Sequence, residues 1–231
     1  MHLPDYRDRI SVYLWVILAA LAVEFVVRLP ARTLTWTIFG SPLTVDVTTA
    51  TLLGIPLVVL AASGMEAIVR AHPSFLRGEL RHTWILWALP SALVLTAATL
   101  LPELPTRLTW LAGLAATGAV LAIVSVAIYH TIDEDDPAYH VARLLLNLAT
   151  YATALVLFLL VYQTRTRSLL SGTLTVIIGT LLTLEILRSG SRTRLRLIVL
   201  YGLLCGLVLG EATWALNYWQ LPGITGGLLL L

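Results

Sequence analysis

Seven apolar segments of membrane-spanning length constrain the fold of this 231-residue chain more than any other feature. An α-helix needs about 20 apolar residues to cross the ~30 Å hydrocarbon core of a bilayer. Charged residues make up only 12% of the chain, about half the ~25% that is typical of soluble domains. The sequence therefore predicts an all-α polytopic membrane protein, a helix bundle that forms a single membrane domain. The predicted spans cover residues 10–29, 48–69, 83–101, 108–129, 138–162, 169–187 and 195–219.

An eighth apolar run begins at Gly223, and its residues up to Leu231 would reach only about 14 Å as a helix. We therefore expect seven to eight spans, the last one incomplete. Two similar segments, GMEAIVR at the end of span two and TLEILR at the end of span six, indicate a 4+4 parallel repeat. Its halves would be residues 1–137 and 138–231. Similar membrane-end chemistry without duplication is the alternative explanation.

Arginine placement predicts the orientation, because positively charged residues concentrate in cytoplasmic loops. All fifteen basic residues are arginines, and ten of them fall on the side that carries the N-terminus. We therefore place the N-terminus in the cytoplasm and expect the protein in the cytoplasmic membrane of a prokaryote. The first apolar run extends to Leu29 and six further spans follow, which favours an uncleaved first span over a signal peptide.

The long connection between spans one and two, residues 33–49, has a different pattern. Apolar and polar residues alternate on both sides of a Gly-Ser-Pro stretch at residues 40–42. Period-two alternation around a turn is typical of a β-hairpin. We expect a short extracytoplasmic hairpin whose apolar side is covered by helix ends, lipid or a partner protein. An irregular loop is the alternative.

Four glutamates lie within or beside the spans, where a charge is costly and often functional. Three of them have an arginine three or four residues further on, a spacing that places both side chains on one helix face. We interpret these as structural ion pairs at the membrane boundaries. The pairs are Glu24 with Arg28, Glu66 with Arg70, and Glu185 with Arg188.

The fourth glutamate, Glu211, lies deep in span seven with no arginine within a helical turn. Span five carries Arg143, Asn147 and Tyr151 at four-residue spacing, a polar stripe that should face protein or a water-filled cavity. With Asn217, these residues make a candidate substrate-binding or proton site between spans five and seven. Arg143 suits a phosphate or carboxylate, and Glu211 suits a proton or a cation. Interhelical hydrogen bonding without a ligand is the alternative.

The segment HTIDEDDPAYH, residues 130–140, combines two histidines with four acids between spans four and five. Imidazoles and carboxylates hold divalent metals. The residues that would bind such a metal are His130, His140, Asp133 and Asp135. No recognised ligand spacing appears, and Asp136 before Pro137 is typical of a helix start. We therefore predict a helix–helix connection, with no metal or other cofactor.

Several function classes are excluded by composition. The absence of lysine excludes a retinal or pyridoxal Schiff base and a Walker A loop. A net charge of +2 without a basic tail gives no indication of nucleic-acid binding. Membrane lipids are the expected partners. Span seven also carries a small-residue stripe suited to close helix packing or to an oligomer contact. That stripe is Gly202, Gly206 and Gly210.

Our leading hypothesis is a small transporter-like or lipid-handling protein that acts on an anionic or amphipathic small molecule. It would use the polar site between spans five and seven. A non-catalytic membrane subunit or scaffold, docking through residues 33–49, is the first alternative. A membrane-embedded lipid-modifying metalloenzyme that uses the histidine and acid cluster is the second.

Overall fold

The computed structural model describes residues 6–27, 32–38, 41–47, 49–78, 83–163, 168–188 and 195–216. Within these residues, seven helical segments have the length and hydropathy needed to cross a membrane. This confirms the prediction of seven apolar spans, and the protein is a multi-pass integral membrane protein. The eighth apolar run, from Gly223, lies outside the described residues. The 4+4 repeat stays a prediction.

The spans are formed by long helices, with one short helix in the link between the second and third spans. Two 3₁₀ turns, Trp84–Trp87 and Leu101–Glu103, extend the third span at both ends. The helices are α1 (Tyr6–Val26), α2 (Thr49–Val69), α3 (Pro73–Leu76), α4 (Ala88–Leu100), α5 (Arg107–His130), α6 (Tyr139–Gln163), α7 (Ser168–Arg188) and α8 (Leu195–Leu216).

Helix α5 begins at a reciprocal cap between two threonines. The Oγ1 of Thr106 accepts a hydrogen bond from the backbone N–H of Thr109 at 3.1 Å. The Oγ1 of Thr109 accepts one from the backbone N–H of Thr106, also at 3.1 Å. This capping box satisfies two donors that a helix start otherwise leaves unpaired.

Five hydroxyl side chains inside the spans bond to their own helices. Each donates to a carbonyl four residues earlier, at 2.7–2.9 Å, so no water is needed to satisfy it in the hydrocarbon. The residues concerned are Thr96, Ser125, Thr150, Thr153 and Thr213.

Helices α7 and α8 make the most extensive helix contact of the described residues. A Cβ added at Gly206 would lie 2.7 Å from the carbonyl oxygen of Val176 and would also meet the Thr180 hydroxyl. A Cβ at Gly202 would lie 2.9 Å from the side chain of Leu184. The glycine stripe therefore brings the two backbones together, as small residues do in membranes. Because α7 of the same chain covers Gly202, Gly206 and Gly210, this face is not free for a second copy.

The remaining spans pack around a shared core. Helix α2 contacts α4 and α1, and α6 lies between α5 and α7. Lipid tails are as apolar as leucine, so close packing rather than escape from water holds these helices together. Fully buried side chains at the centre include Ile17, Leu21, Met65, Leu89, Leu121 and Leu146.

Two strands lie in the connection between α1 and α2. They are β1 (Arg32–Ile38) and β2 (Ser41–Val47), paired in antiparallel register with Thr35 opposite Thr44. The alternation of apolar residues and threonines suits a pleated ribbon, in which successive side chains point to opposite faces.

Candidate functional site

Polar contacts between helices gather at one end of the bundle, which we call the N-terminal side. Here α1 begins while α2 and α5 end. The guanidinium Nη1 of Arg9 donates to the carbonyl oxygen of Ala67 in the last turn of α2 at 3.3 Å. The rings of Tyr6 and Tyr129 stack with 4.4 Å between centroids. These contacts join α1 to both neighbours and place the charged residues of three elements close together.

A cleft of about 470 Å³ opens between α1 and α2 at this side. We call it the Arg9 cleft. Its walls are mostly aliphatic, and its polar groups come from two successive residues of α1 and from Tyr13 and Ser63. The residues that define it are Asp8, Arg9, Val12, Tyr13, Val16, Leu60 and Ser63.

Two polar atoms beside this cleft are buried and lack a hydrogen-bond partner among the described residues. They are the Nε of Arg9 and the hydroxyl oxygen of Tyr13. Arg9 therefore donates one hydrogen bond to the carbonyl of Ala67, near the C-terminal end of α2, where arginines often bind free carbonyls. Its Nε has no acceptor among the described residues. A buried donor without an acceptor is costly. An acceptor from a ligand would remove that cost.

Gly64 gives the cleft its shape. A Cβ at this position would meet the ring of Tyr13, including its Cε2 at 2.8 Å. The absence of a side chain thus lets the Tyr13 ring approach α2 closely. Arg9, Tyr13 and Val16 share one face of α1, since residues four and seven apart lie on the same side of a helix.

The Arg9 cleft combines one fixed cation with an aliphatic groove that runs along the span. A guanidinium binds phosphate and carboxylate through paired donors. The aliphatic walls suit a hydrocarbon chain. A second cavity of about 430 Å³ lies between α2, α4, α6 and α7 and is lined almost wholly by apolar side chains, so it offers no group that would select a headgroup.

A cluster of aromatic and titratable residues lies beside the cleft at the same side. The ring of His72 packs edge-on against Tyr129 with centroids 4.6 Å apart, and Tyr6 stacks on the same tyrosine. The Nδ1 of His130 lies 2.7 Å from the Oδ2 of Asp136. This cluster joins the starts of α1 and α6 to the ends of α2 and α5.

Two groups in this cluster have shifted titrations. Burial lowers the pKa of His72; Asp133 and Asp136 oppose that shift, and Arg77 and His130 add to it. The hydrogen bond from His130 holds the pKa of Asp136 below its usual value. The Nδ1 of His72 also accepts the backbone N–H of Ser74 at 3.2 Å and so caps α3. Neutral His72 is the form that this cap requires.

The acidic segment forms local hydrogen bonds. Asp136 accepts the backbone N–H of Ala138 at 2.8 Å, just before α6 begins, and Asp133 accepts that of Asp135 at 3.1 Å. His140 is exposed and packs edge-on against Tyr139. Across the described ranges, no three histidine, cysteine or acidic side chains converge as a metal site would require.

Two of the three predicted ion pairs lie in the described residues. Arg70 donates to Glu66 at 2.6 Å, and the indole of Trp87 donates to the second carboxylate oxygen at 2.9 Å. Arg188 donates to both oxygens of Glu185, at 2.7 and 3.3 Å.

The third pair is only half visible. Glu24 is buried, and its Oε1 has no hydrogen-bond partner in the described part of the chain. Arg28 lies outside the described residues. The pairing of Glu24 with Arg28 therefore stays a prediction.

The predicted polar site between spans five and seven has residues on α6 and α8. Both helices pack against α7. Arg143 and Asn147 are half-buried on α6, and Tyr151 is exposed. Glu211 is exposed on α8, on the side away from α7. Asn217 lies outside the described residues. Within the described chain, these side chains are thus spread over two helices that share a neighbour.

The sequence alone did not single out the Arg9 cleft. Arg9 and Tyr13 on span one have the same four-residue spacing as Arg143 and Asn147 on span five. The signal that could have found the cleft is Gly64, because a glycine inside a span marks a close approach by a neighbouring side chain.

Comparison with known proteins gives a family but no activity. No curated protein and no solved structure matches the chain. A family profile with the description "Protein of unknown function (DUF5656)" matches residues 29–231. The match takes in the helices from α2 to α8, while α1 precedes it. The chain therefore belongs to the DUF5656 family.

Proposed function

We propose that this protein is an amphiphile-binding membrane protein that holds a phospholipid-like molecule in the Arg9 cleft. The observation that carries the proposal is the buried Nε of Arg9, which has no acceptor among the described residues. Because protein covers the Nε here, a rotation of the Arg9 side chain would turn this donor toward a phosphate at the mouth of the cleft. The hydrocarbon chain would then lie along Val12, Val16 and Leu60, which line the same groove.

The position of the charge in the membrane supports a headgroup ligand over a fully buried one. Arg9 is in the first turn of α1, three residues after its first residue, Tyr6. At 1.5 Å per residue, its Cα lies about 5 Å along the helix axis from that end. This depth is close to the interface, where lipid phosphates lie. The aliphatic wall continues from there toward the membrane centre.

Asp8 refines the expected headgroup. It lines the cleft beside Arg9 and is exposed. A headgroup that carries an amine as well as a phosphate would meet both charges. We therefore propose a preference for phosphatidylethanolamine over phosphatidylglycerol, which carries no amine, and we expect Asp8→Asn to reduce that preference.

We also propose that the protein transports such a ligand, and that the polar residues of α6 and α8 form a second binding site for it. Arg143 is half-buried on α6 at the same side of the bundle as Arg9. A guanidinium there could receive the same headgroup chemistry. We also propose that the N-terminus lies in the cytoplasm. The Arg9 cleft would then open toward the inner leaflet.

Native mass spectrometry tests the proposal directly. The purified protein is titrated with phosphatidylethanolamine or phosphatidylglycerol, and bound lipid is counted. The Arg9→Gln variant should bind about tenfold more weakly, the loss expected for a hydrogen bond to a charged group. Arg7→Gln is the matched control, because Arg7 carries the same charge on the same helical turn but does not line the cleft.

A tail-directed variant separates a built site from general attraction to anionic surfaces. Ala67→Phe fills the groove without altering any charge, since Ala67 lines the cleft with a methyl group. It should reduce binding as Arg9→Gln does. Equal losses in Arg7→Gln and Arg9→Gln, with Ala67→Phe unchanged, would show that lipid binds by surface charge alone and would overturn the proposal.

A further inference from the structure

Helix α8 leaves one long face uncovered in the described structure. Its glycine face packs on α7, and it is the least buried of the seven spans. The opposite face carries large apolar side chains that are half or more exposed, among them Leu200, Leu207, Val208 and Trp214. An exposed apolar face is ordinary in lipid, and by itself it indicates nothing.

Glu211 makes this face unusual. At 3.6 residues per turn it lies about 180° around the helix from Gly202 and about 140° from Gly206. It is exposed, and no hydrogen-bond donor of the described chain reaches it. It lies sixteen residues after the start of α8 and five before Leu216, the end of the helix. Its Cα is thus about 8 Å inside the nearer end.

A carboxylate at that depth needs a partner. Acidic side chains within spans almost always face protein or water and pair with a donor, because lipid offers them none. The glycine stripe fixes the rotation of α8, because a Cβ at Gly206 or Gly210 would collide with α7. The helix cannot turn Glu211 inward without losing that contact.

The partner of Glu211 could be a second copy of this chain or a different protein, and twofold symmetry favours the different protein. In a twofold dimer formed through this face, each residue meets a residue of the same patch on the other copy. Two parallel α8 helices would place one Glu211 near the other, so the two carboxyl groups could not both stay ionised and neither copy would offer the other a cation. A different protein that offers a basic side chain satisfies the carboxylate.

We propose that the Glu211 face of α8 docks against a transmembrane helix of a different protein, and that this helix carries an arginine or lysine at the depth of Glu211. The contact would be of the interhelical kind in which one polar pair adds to aliphatic packing. It is independent of amphiphile binding, since the Arg9 cleft lies between α1 and α2.

Site-specific photocrosslinking in the membranes of the host organism tests this. A photoreactive residue replaces Leu204, which is 48% exposed on the Glu211 face. Ile123 of α5, 50% exposed, is the matched control and should give lipid adducts only. At Leu204 we expect one protein, crosslinked through a membrane span that contains arginine or lysine.

Substitutions at Glu211 test whether its charge is responsible for the crosslink. Glu211→Leu should lower the crosslink yield about tenfold, the loss of one interhelical polar contact. Glu211→Arg should abolish it, and replacing the partner's basic residue with glutamate should restore it. Glu211 touches no other described polar group, so these variants should purify with an unchanged elution volume.

Three results would overturn the proposal. They are lipid adducts alone at Leu204, a crosslink to a second copy of this chain, and a partner span without a basic residue.

Discussion

Replacement of Gly206 by alanine tests the packing of α7 on α8. The new Cβ would lie 2.7 Å from the carbonyl oxygen of Val176, whereas ordinary contacts begin at 3.4 Å. The helices must therefore separate locally by up to 0.7 Å (3.4 − 2.7) or move apart at one end. Overpacking of a close contact costs about 1–3 kcal/mol. Because one to two kcal/mol changes a folding equilibrium by about 5–30-fold, the loss should be easy to measure.

Gly172→Ala is the control within the same interface. Its Cβ would lie 3.7 Å from the carbonyl oxygen of Gly210, an ordinary contact. Thermal unfolding in detergent should show a clear loss for Gly206→Ala and little change for Gly172→Ala. Adding Thr180→Ala to Gly206→Ala should rescue only part of the loss, because it removes the hydroxyl contact but not the contact with Val176. Equal stability of the two single variants would refute the close approach of α8 to α7.

Two further predictions concern the N-terminal side. Trp87→Phe removes the indole donor to Glu66. It should lower the free energy of unfolding by about 1.5 kcal/mol, the lower end of the range for a hydrogen bond to a charged group. The control is Trp15→Phe, which should not change unfolding because Trp15 is 73% exposed. Burial lowers the pKa of His72, so the unfolded segment binds a proton more readily than the folded one. Protonation therefore destabilises this segment. Protection of residues 70–78 from hydrogen exchange should be full above the ordinary histidine pKa of about 6.5 and should fall as the pH drops below it. His72→Asn keeps a side-chain acceptor for the α3 cap and should remove this pH dependence; a wild-type pH profile in the variant would rule out His72 as its source.

Much of the architecture follows from the local sequence. Each span is a long apolar run, and only a helix can satisfy its backbone in lipid. The alternation around residues 40–42 has the period of a strand, and the structure pairs residues 32–38 with residues 41–47 there. The spacing of Glu66 and Arg70 places them on one helix face, and the structure pairs them. These features depend on neighbours within a few residues.

The candidate site could not be predicted in the same way, because it depends on which helices become neighbours. Arg9 and Ala67 are 58 residues apart in the chain, and hydrophobic periodicity does not reveal their contact. Glu211 shows the converse. Its depth was evident from the sequence, but the direction it faces depends on how the glycine stripe packs against α7.

The acidic segment illustrates how local geometry limits function. Its composition suits a metal, but Asp136 bonds His130 and caps the approach to α6, while Asp133 holds the backbone of Asp135. Each of these carboxylates is used in the turn. Sequence reasoning predicted a helix start from Asp136 and Pro137, because such a start has a recognisable pattern, and α6 begins at Tyr139.

The most direct test of amphiphile binding is an experimental density map of the protein in nanodiscs that contain phosphatidylethanolamine. We predict headgroup density within hydrogen-bonding distance of the Arg9 guanidinium, with a chain that continues along Val12 and Val16. The same map of Arg9→Gln should lack the headgroup feature. An empty cleft in the wild type, or Arg9 bonded to protein acceptors through all its donors, would contradict the proposal.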